Sequence, residues 1–259
     1  MANIIIYSMF FIIGTLLGSF FTLAVHRIPL KQNITHERSY CPKCNHKLSF
    51  LDLIPILSYL FLGGKCRYCK NKIRPRYLIL EILSGMVFLL LVLSLNIDMF
   101  TIFVGKYIYL FFLILYISTL IIVGGIDKER KEITSSVMIF GFIIEIMYIT
   151  YLYILGSNMY RYIIYLTIIV ILALFNKIFL KNIKRKYLIQ ILILCFFLVI
   201  ATKEEITILS IIATLILIAI KIFVNKIKKK QLKEELPIGF YLCFSNIAIL
   251  IIQNFLLGL

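Results

Sequence analysis

The sequence predicts an all-α polytopic membrane protein of about eight transmembrane helices, with one polar insert after the first helix. Three observations carry this. Apolar residues fill 62% of the 259 positions and charged residues only 15%, too little charge to cover the exterior of a soluble domain of that length. Apolar runs close to the roughly 20 residues that a membrane helix needs recur along the chain. Of the five prolines, Pro42, Pro55 and Pro75 fall in the insert and Pro29 and Pro237 at span edges, so the runs are largely free of helix breakers.

In order, the spans are expected near residues 3–25, 78–95, 107–126, 134–155, 160–180, 187–202, 205–225 and 238–258. The first lacks a basic flank and a small-x-small cleavage site and reads as a retained helix rather than a signal peptide. Residues 1–95 form an N-terminal region whose insert occupies 26–77, and residues 96–259 form a helical membrane domain.

Lysine and arginine set the orientation. The insert and its flanks are rich in them, and so are "DKERKE" (127–132), "KNIKRK" (181–186) and "NKIKKKQLKEE" (225–235), whereas "LNIDMF", "GSNMYR" and "TKEE" are poor. The basic loops alternate with the others and belong in the cytoplasm, with both termini outside. The formal charge of +16 is thereby assigned to loops lying against anionic membrane lipids, with no nucleic acid as partner.

Cys41 and Cys44 form one C-x-x-C, and Cys66 and Cys69 a second. Cytosolic thiols stay reduced, and four thiolates match the closed tetrahedral shell of structural zinc. A redox dithiol and free thiols are the competing readings. With the shell filled by cysteine, His46 is a solvated loop residue, while Cys195 and Cys243 lie in apolar spans as small hydrophobes.

"GSFFTLAVHRIP", followed by "RSYCPKCNHKLSFLDLIPILSYLFLGGKCRYCKNKIRPRYLILEILSG", resembles the N-terminal region of the type IV prepilin peptidases. These are membrane aspartic proteases that also N-methylate the pilin they cut. The resemblance covers residues 14 to 85 densely. Beyond it, "GGIDKERKEITSSVM" is similar to the family's first aspartate motif and implies Asp127 as a catalytic acid. "ELPIGFYLCF" is similar to the Pro-Phe-Gly-Pro opening of the last helix, with Pro237 and Gly239 retained.

One motif is missing. Where the family carries its second aspartate, in Gly-x-Gly-Asp at the start of the sixth span, this chain reads "FLKNIKRKYLIQIL", and nothing between Glu145 and Glu204 is acidic. Two carboxylates sharing a proton divide the work of activating water and protonating the carbonyl, which one carboxylate cannot do. Glu234 and Glu235 are the available substitutes. Glu145 lies about 16 Å into its span at 1.5 Å per residue, too deep for such a pair. It is a packing or functional group in its own right, paired or neutral.

For methyl transfer the resemblance implies S-adenosylmethionine as donor, with Asp52 and Glu81 in family-like positions to hold the amine or the donor. The structural alternatives are a turn cap at Asp52 and an ion pair of Glu81 with Arg76. The implied substrates are type IV prepilin or pseudopilin precursors, in the bacterial cytoplasmic membrane, with pilus assembly proteins as further partners. Two functions remain open at this level: leader cleavage, N-methylation or both, or a non-proteolytic paralogue that binds prepilins or the assembly machinery.

Overall fold

The computed structural model describes residues 2–34, 39–97, 104–179, 183–227 and 236–257. Among these there is no strand, only two isolated antiparallel bridges, Tyr40 with Lys47 and Lys65 with Lys72. The helices are α1 (Ala2–Arg27), α2 (Leu57–Phe61), α3 (Arg76–Ser94), α4 (Val104–Arg130), α5 (Ser135–Ile154), α6 (Tyr160–Phe179), α7 (Ile183–Ala201), α8 (Glu204–Ile227) and α9 (Ile238–Leu257). Every expected span is a helix. Among the described residues, six of them, α1, α3, α4, α5, α8 and α9, are long and apolar enough to cross a membrane, while α6 and α7 offer the shorter apolar stretches Tyr160–Leu174 and Lys186–Ala201. The protein is a multi-pass membrane protein. It divides into two compact units, Met1–Leu110 and Phe111–Leu257.

In the first unit α1 lies directly against α3. A Cβ on Gly14 would stand 2.8 Å from the Gly85 Cα, and one on Gly18 would stand 3.0 Å from the Glu81 Cα. Small residues let two backbones approach this closely where lipid provides no hydrophobic drive between helices. The Thr15 and Thr22 hydroxyls turn back onto the carbonyls of Ile12 and Ser19, at 2.8 and 2.7 Å, so neither is left bare among apolar neighbours. At the end of α1, Arg27 Nη1 donates to the Asn33 carbonyl at 2.9 Å. The insert follows, and α3 carries the chain back.

In the second unit α5 meets α4 and α7 at Gly141, where a Cβ would stand 2.8 Å from both the Thr119 methyl and the Phe197 ring. Arg161 of α6 donates to the Val199 and Thr202 carbonyls at 3.0 and 3.1 Å, which closes the exposed end of α7. A buried polar chain ties α4, α9 and α8 together: Tyr116 Oη donates to Asn246 Oδ1 at 2.8 Å, and Asn246 Nδ2 to Ser210 Oγ at 3.2 Å. Such bonds replace apolar attraction as the glue between membrane helices.

Candidate functional site

Two side-chain constellations stand out, one in each unit. In the insert, both C-x-x-C segments adopt one local fold. Cys41 N donates to the His46 carbonyl at 3.0 Å and Asn45 N to the Cys41 carbonyl at 2.8 Å. In the second knuckle Cys66 N bonds the Asn71 carbonyl at 2.9 Å and Lys70 N the Cys66 carbonyl at 3.0 Å. Asn45 and Lys70, just after each second cysteine, have φ of 54° and 56°, the left-handed bend that turns backbone N–H groups towards sulfur. The two knuckles thus share one backbone geometry, a likeness that their dissimilar side chains hide beyond the cysteines themselves.

The four Sγ atoms lie within 4.8 Å of one another, and the sulfurs of Cys41 and Cys69 are 3.8 Å apart. A zinc–sulfur bond near 2.3 Å gives a tetrahedron with an edge of about 3.8 Å, so the residues fit a metal ion of that kind. The Cys44 backbone N–H is the main influence that draws the Cys41 thiol down to about 7. Cys69 feels the opposite net effect: despite the Asn71 backbone, desolvation and the neighbouring thiols push it up to about 11. A cation would supply the charge that lets all four act as thiolates. His46 is exposed and stacks on Tyr68 with ring centroids 3.6 Å apart, outside the sulfur cluster.

Asp52 joins the two knuckles. Ser49 N and Oγ donate to its Oδ2 at 3.0 and 2.7 Å, and Arg67 Nε donates to Oδ1 at 2.6 Å. Desolvation would raise its carboxyl, but the Ser49 and Arg67 bonds outweigh it and hold Asp52 below the ordinary aspartate range. Glu81, on α3, accepts the Ile56 N–H at 2.8 Å on Oε2 and a hydrogen bond from Ser19. Both carboxylates are thus committed to holding the insert.

Asp127 closes the last turns of α4 and is fully buried. Tyr187, in the first turns of α7, donates its hydroxyl to Oδ1 at 2.8 Å. The Phe240 N–H, at the start of α9, donates to Oδ2 at 2.9 Å. Tyr187 Oη in turn accepts the Ile238 N–H at 3.1 Å. Gly239 makes the approach possible, since a Cβ there would stand 3.2 Å from the Asp127 Cγ and Oδ2. Asp127 therefore caps the open N–H groups of α9, where a helix terminus favours negative charge, and it ties α4, α7 and α9 together. Sequence reasoning found Asp127, Pro237 and Gly239 but searched the start of α7 only for an acid, and so passed over Tyr187.

Glu234 and Glu235 lie outside the described residues. Glu145 is buried in α5, and neither of its carboxyl oxygens has a hydrogen-bond partner among the described residues.

Residues 12–95 match the family described as Bacterial Peptidase A24 N-terminal domain. Among curated proteins, the chain is similar to the prepilin leader peptidase/N-methyltransferase of Bacillus subtilis, 37% identical over 133 residues, covering 51% of this chain and 50% of that protein. It is similar also to the proteins of the same name from Vibrio cholerae, 43% identical over 82 residues (29% of this chain, 32% of that protein), and Myxococcus xanthus, 42% identical over 78 residues (30% and 23%). The chain thus spans between about a quarter and a half of the length of these relatives. No solved structure matches it. Through residues 12–95, a region that holds both knuckles, Asp52 and Glu81, the chain is similar to the N-terminal domain of the bacterial A24 peptidases and to the prepilin leader peptidase/N-methyltransferases.

Proposed function

We propose that this protein receives type IV prepilin or pseudopilin precursors at the cytoplasmic face of the bacterial plasma membrane without cutting them by an aspartate pair. The contact of Tyr187 with Asp127 carries this reading. A peptidase dyad requires two groups that exchange one proton near neutral pH. An ordinary phenol ionises near pH 10, so Tyr187 can orient Asp127 but cannot serve as the partner base. With Phe240 on its other oxygen, Asp127 works as a clamp on α7 and α9.

The insert retains its architecture. The cluster of four cysteines would hold structural zinc, which fixes the two knuckles relative to each other and supplies no reaction step. Held in the cytoplasm by its basic residues, the insert is the surface offered to the pilin precursor and to pilus assembly proteins.

The test is co-expression with each type IV prepilin of the same genome, followed by mass spectrometry of the pilin N-terminus. The expected result is an intact leader with the precursor co-purifying, and the spectrum reads methylation at the same time. Leader removal by the wild-type protein, lost in Asp127→Asn, would overturn the proposal and point to Glu234 or Glu235 as the displaced second acid.

A further inference from the structure

The stretch joining the two knuckles is apolar, yet the protein does not bury it. Phe50 and Phe61 are 82% and 86% exposed, and Leu51, Leu53, Leu57 and Leu60 are exposed as well. Leu57, Leu60 and Phe61 stand at i, i+3 and i+4 and so share one face of α2. Scattered apolar residues on a surface need no explanation, but a contiguous ridge of this kind marks a contact with something apolar.

The hydrogen bond from Ile56 to Glu81 fixes the height of this ridge. Glu81 lies five residues inside α3, counted from Arg76, which is about 7.5 Å along the axis at 1.5 Å per residue. The Ile56 N–H reaches it at 2.8 Å. The base of the ridge is therefore tied to the first turns of α3. Around Glu81, α3 leaves Ile79, Ile82 and Leu83 exposed on a helix long and apolar enough to cross a bilayer.

The backbone is bent to achieve this. Ile56 has φ 62° and ψ −56°, and Leu57 N donates to the Pro55 carbonyl at 2.6 Å, a γ-turn of the rare positive-φ kind that a β-branched residue adopts only under strain. Glu81 holds that turn and with it the direction of α2. Charge points the same way: residues 28–75 contain nine Lys and Arg against two Asp and Glu, a balance that attracts anionic headgroups. The thirteen residues 50–62 are too few to span a bilayer but suit an interfacial segment.

We infer that residues 50–61 form a wedge seated in the membrane leaflet at which α1 ends and α3 begins, with Phe50, Leu57, Leu60 and Phe61 at the boundary of headgroups and acyl chains and the insert's basic residues against anionic phospholipid. The wedge sets the height of the metal knuckles above the bilayer, whether or not a pilin is cut.

The chain contains no tryptophan, so Phe61→Trp and, separately, Phe50→Trp each place a single fluorophore on the ridge. Both positions are open enough to accept the larger ring, and metal content equal to that of the wild type marks a folded insert. The full-length variants are reconstituted in vesicles of phosphatidylcholine and phosphatidylglycerol, with and without dibrominated phosphatidylcholine. The expected result is blue-shifted emission, most of it lost to the brominated lipid and little to aqueous acrylamide. Emission typical of water, quenched by acrylamide and indifferent to bromine, overturns the inference. So does shielding from both quenchers, which would mean that a protein surface covers the ridge. Quenching unchanged when phosphatidylglycerol is omitted would overturn the role given to the basic residues.

Discussion

Tyr187 and Asp127 meet across 60 positions of sequence, hydroxyl to carboxylate at 2.8 Å, at the helix start where the family resemblance implies a second acid. The pair joins the start of α7 to the end of α4, and the α9 backbone completes it. Tyr187→Phe removes one donor from a buried carboxylate and one acceptor from Ile238. It should lower stability by about 1–3 kcal/mol, seen as a reduced unfolding midpoint in detergent. Tyr187→Asp should not produce leader cleavage, because it sets a second buried carboxylate against Asp127 without the glycines of the family motif. Cleavage by that single variant would contradict the clamp reading.

Gly239→Ala tests the same clamp from α9. The added methyl would stand 3.2 Å from the Asp127 carboxylate, so α9 must withdraw and stretch the Phe240 bond. A loss of about 1–3 kcal/mol is expected, as for other insertions into tight packing. Combined with Tyr187→Phe, the loss should be less than additive, since both changes act on one carboxylate.

Purified protein should carry about one zinc per chain, bound by the four thiolates. Cys41→Ser and Cys66→Ser should each lose the metal and unprotect the amides of residues 40–48 and 65–73 in hydrogen exchange, while α1 and α3 stay protected. Metal analysis without zinc, together with rapid alkylation of all four thiols in native protein, would contradict the site.

Asp52→Asn should destabilise the insert by about 1 kcal/mol, at the low end for a bond to a charged group because Arg67 is partly exposed. Its pH dependence has a definite sign. The carboxyl is held below its ordinary value, so its contribution is complete above about pH 4 and is lost only as pH falls through the lowered value. The difference between wild type and variant should therefore stay constant between about pH 5.5 and 8, read by hydrogen exchange on zinc-loaded protein.

A reporter fused after Lys72 should be cytoplasmic and one fused after Ser157 external, as the distribution of Lys and Arg requires. A cytoplasmic Ser157 would mean that α4 and α5 do not cross as a pair, which would place Asp127 on the other face.

Much of the architecture was legible because lipid imposes it. Apolar runs of spanning length became helices at nearly the expected bounds, and the shortest expected span, 187–202, is met by the short apolar stretch Lys186–Ala201 of α7. The sulfur cluster was legible from spacing alone. Asp127 came through the family resemblance, but its partners did not, because a hydroxyl from α7 and a backbone N–H from α9 leave no local pattern. The strained turn at Ile56 was equally hidden. It is set by a glutamate 25 residues away, and nothing in "DLIPILSY" announces a positive φ at isoleucine.

The close seam of α1 and α3 has a consequence for the metal. By holding Arg27 and Arg76 in place, the two helices close the chain between them into a ring, and the loop-closure entropy of that ring is met by the helix pair rather than by the ion. An isolated knuckle domain that loses its metal becomes an open coil. Here the demetallated insert would remain a tethered loop, its four sulfurs confined to a small volume over the bilayer. Metal loss would then be local and reversible, and reloading would need no refolding of the membrane helices.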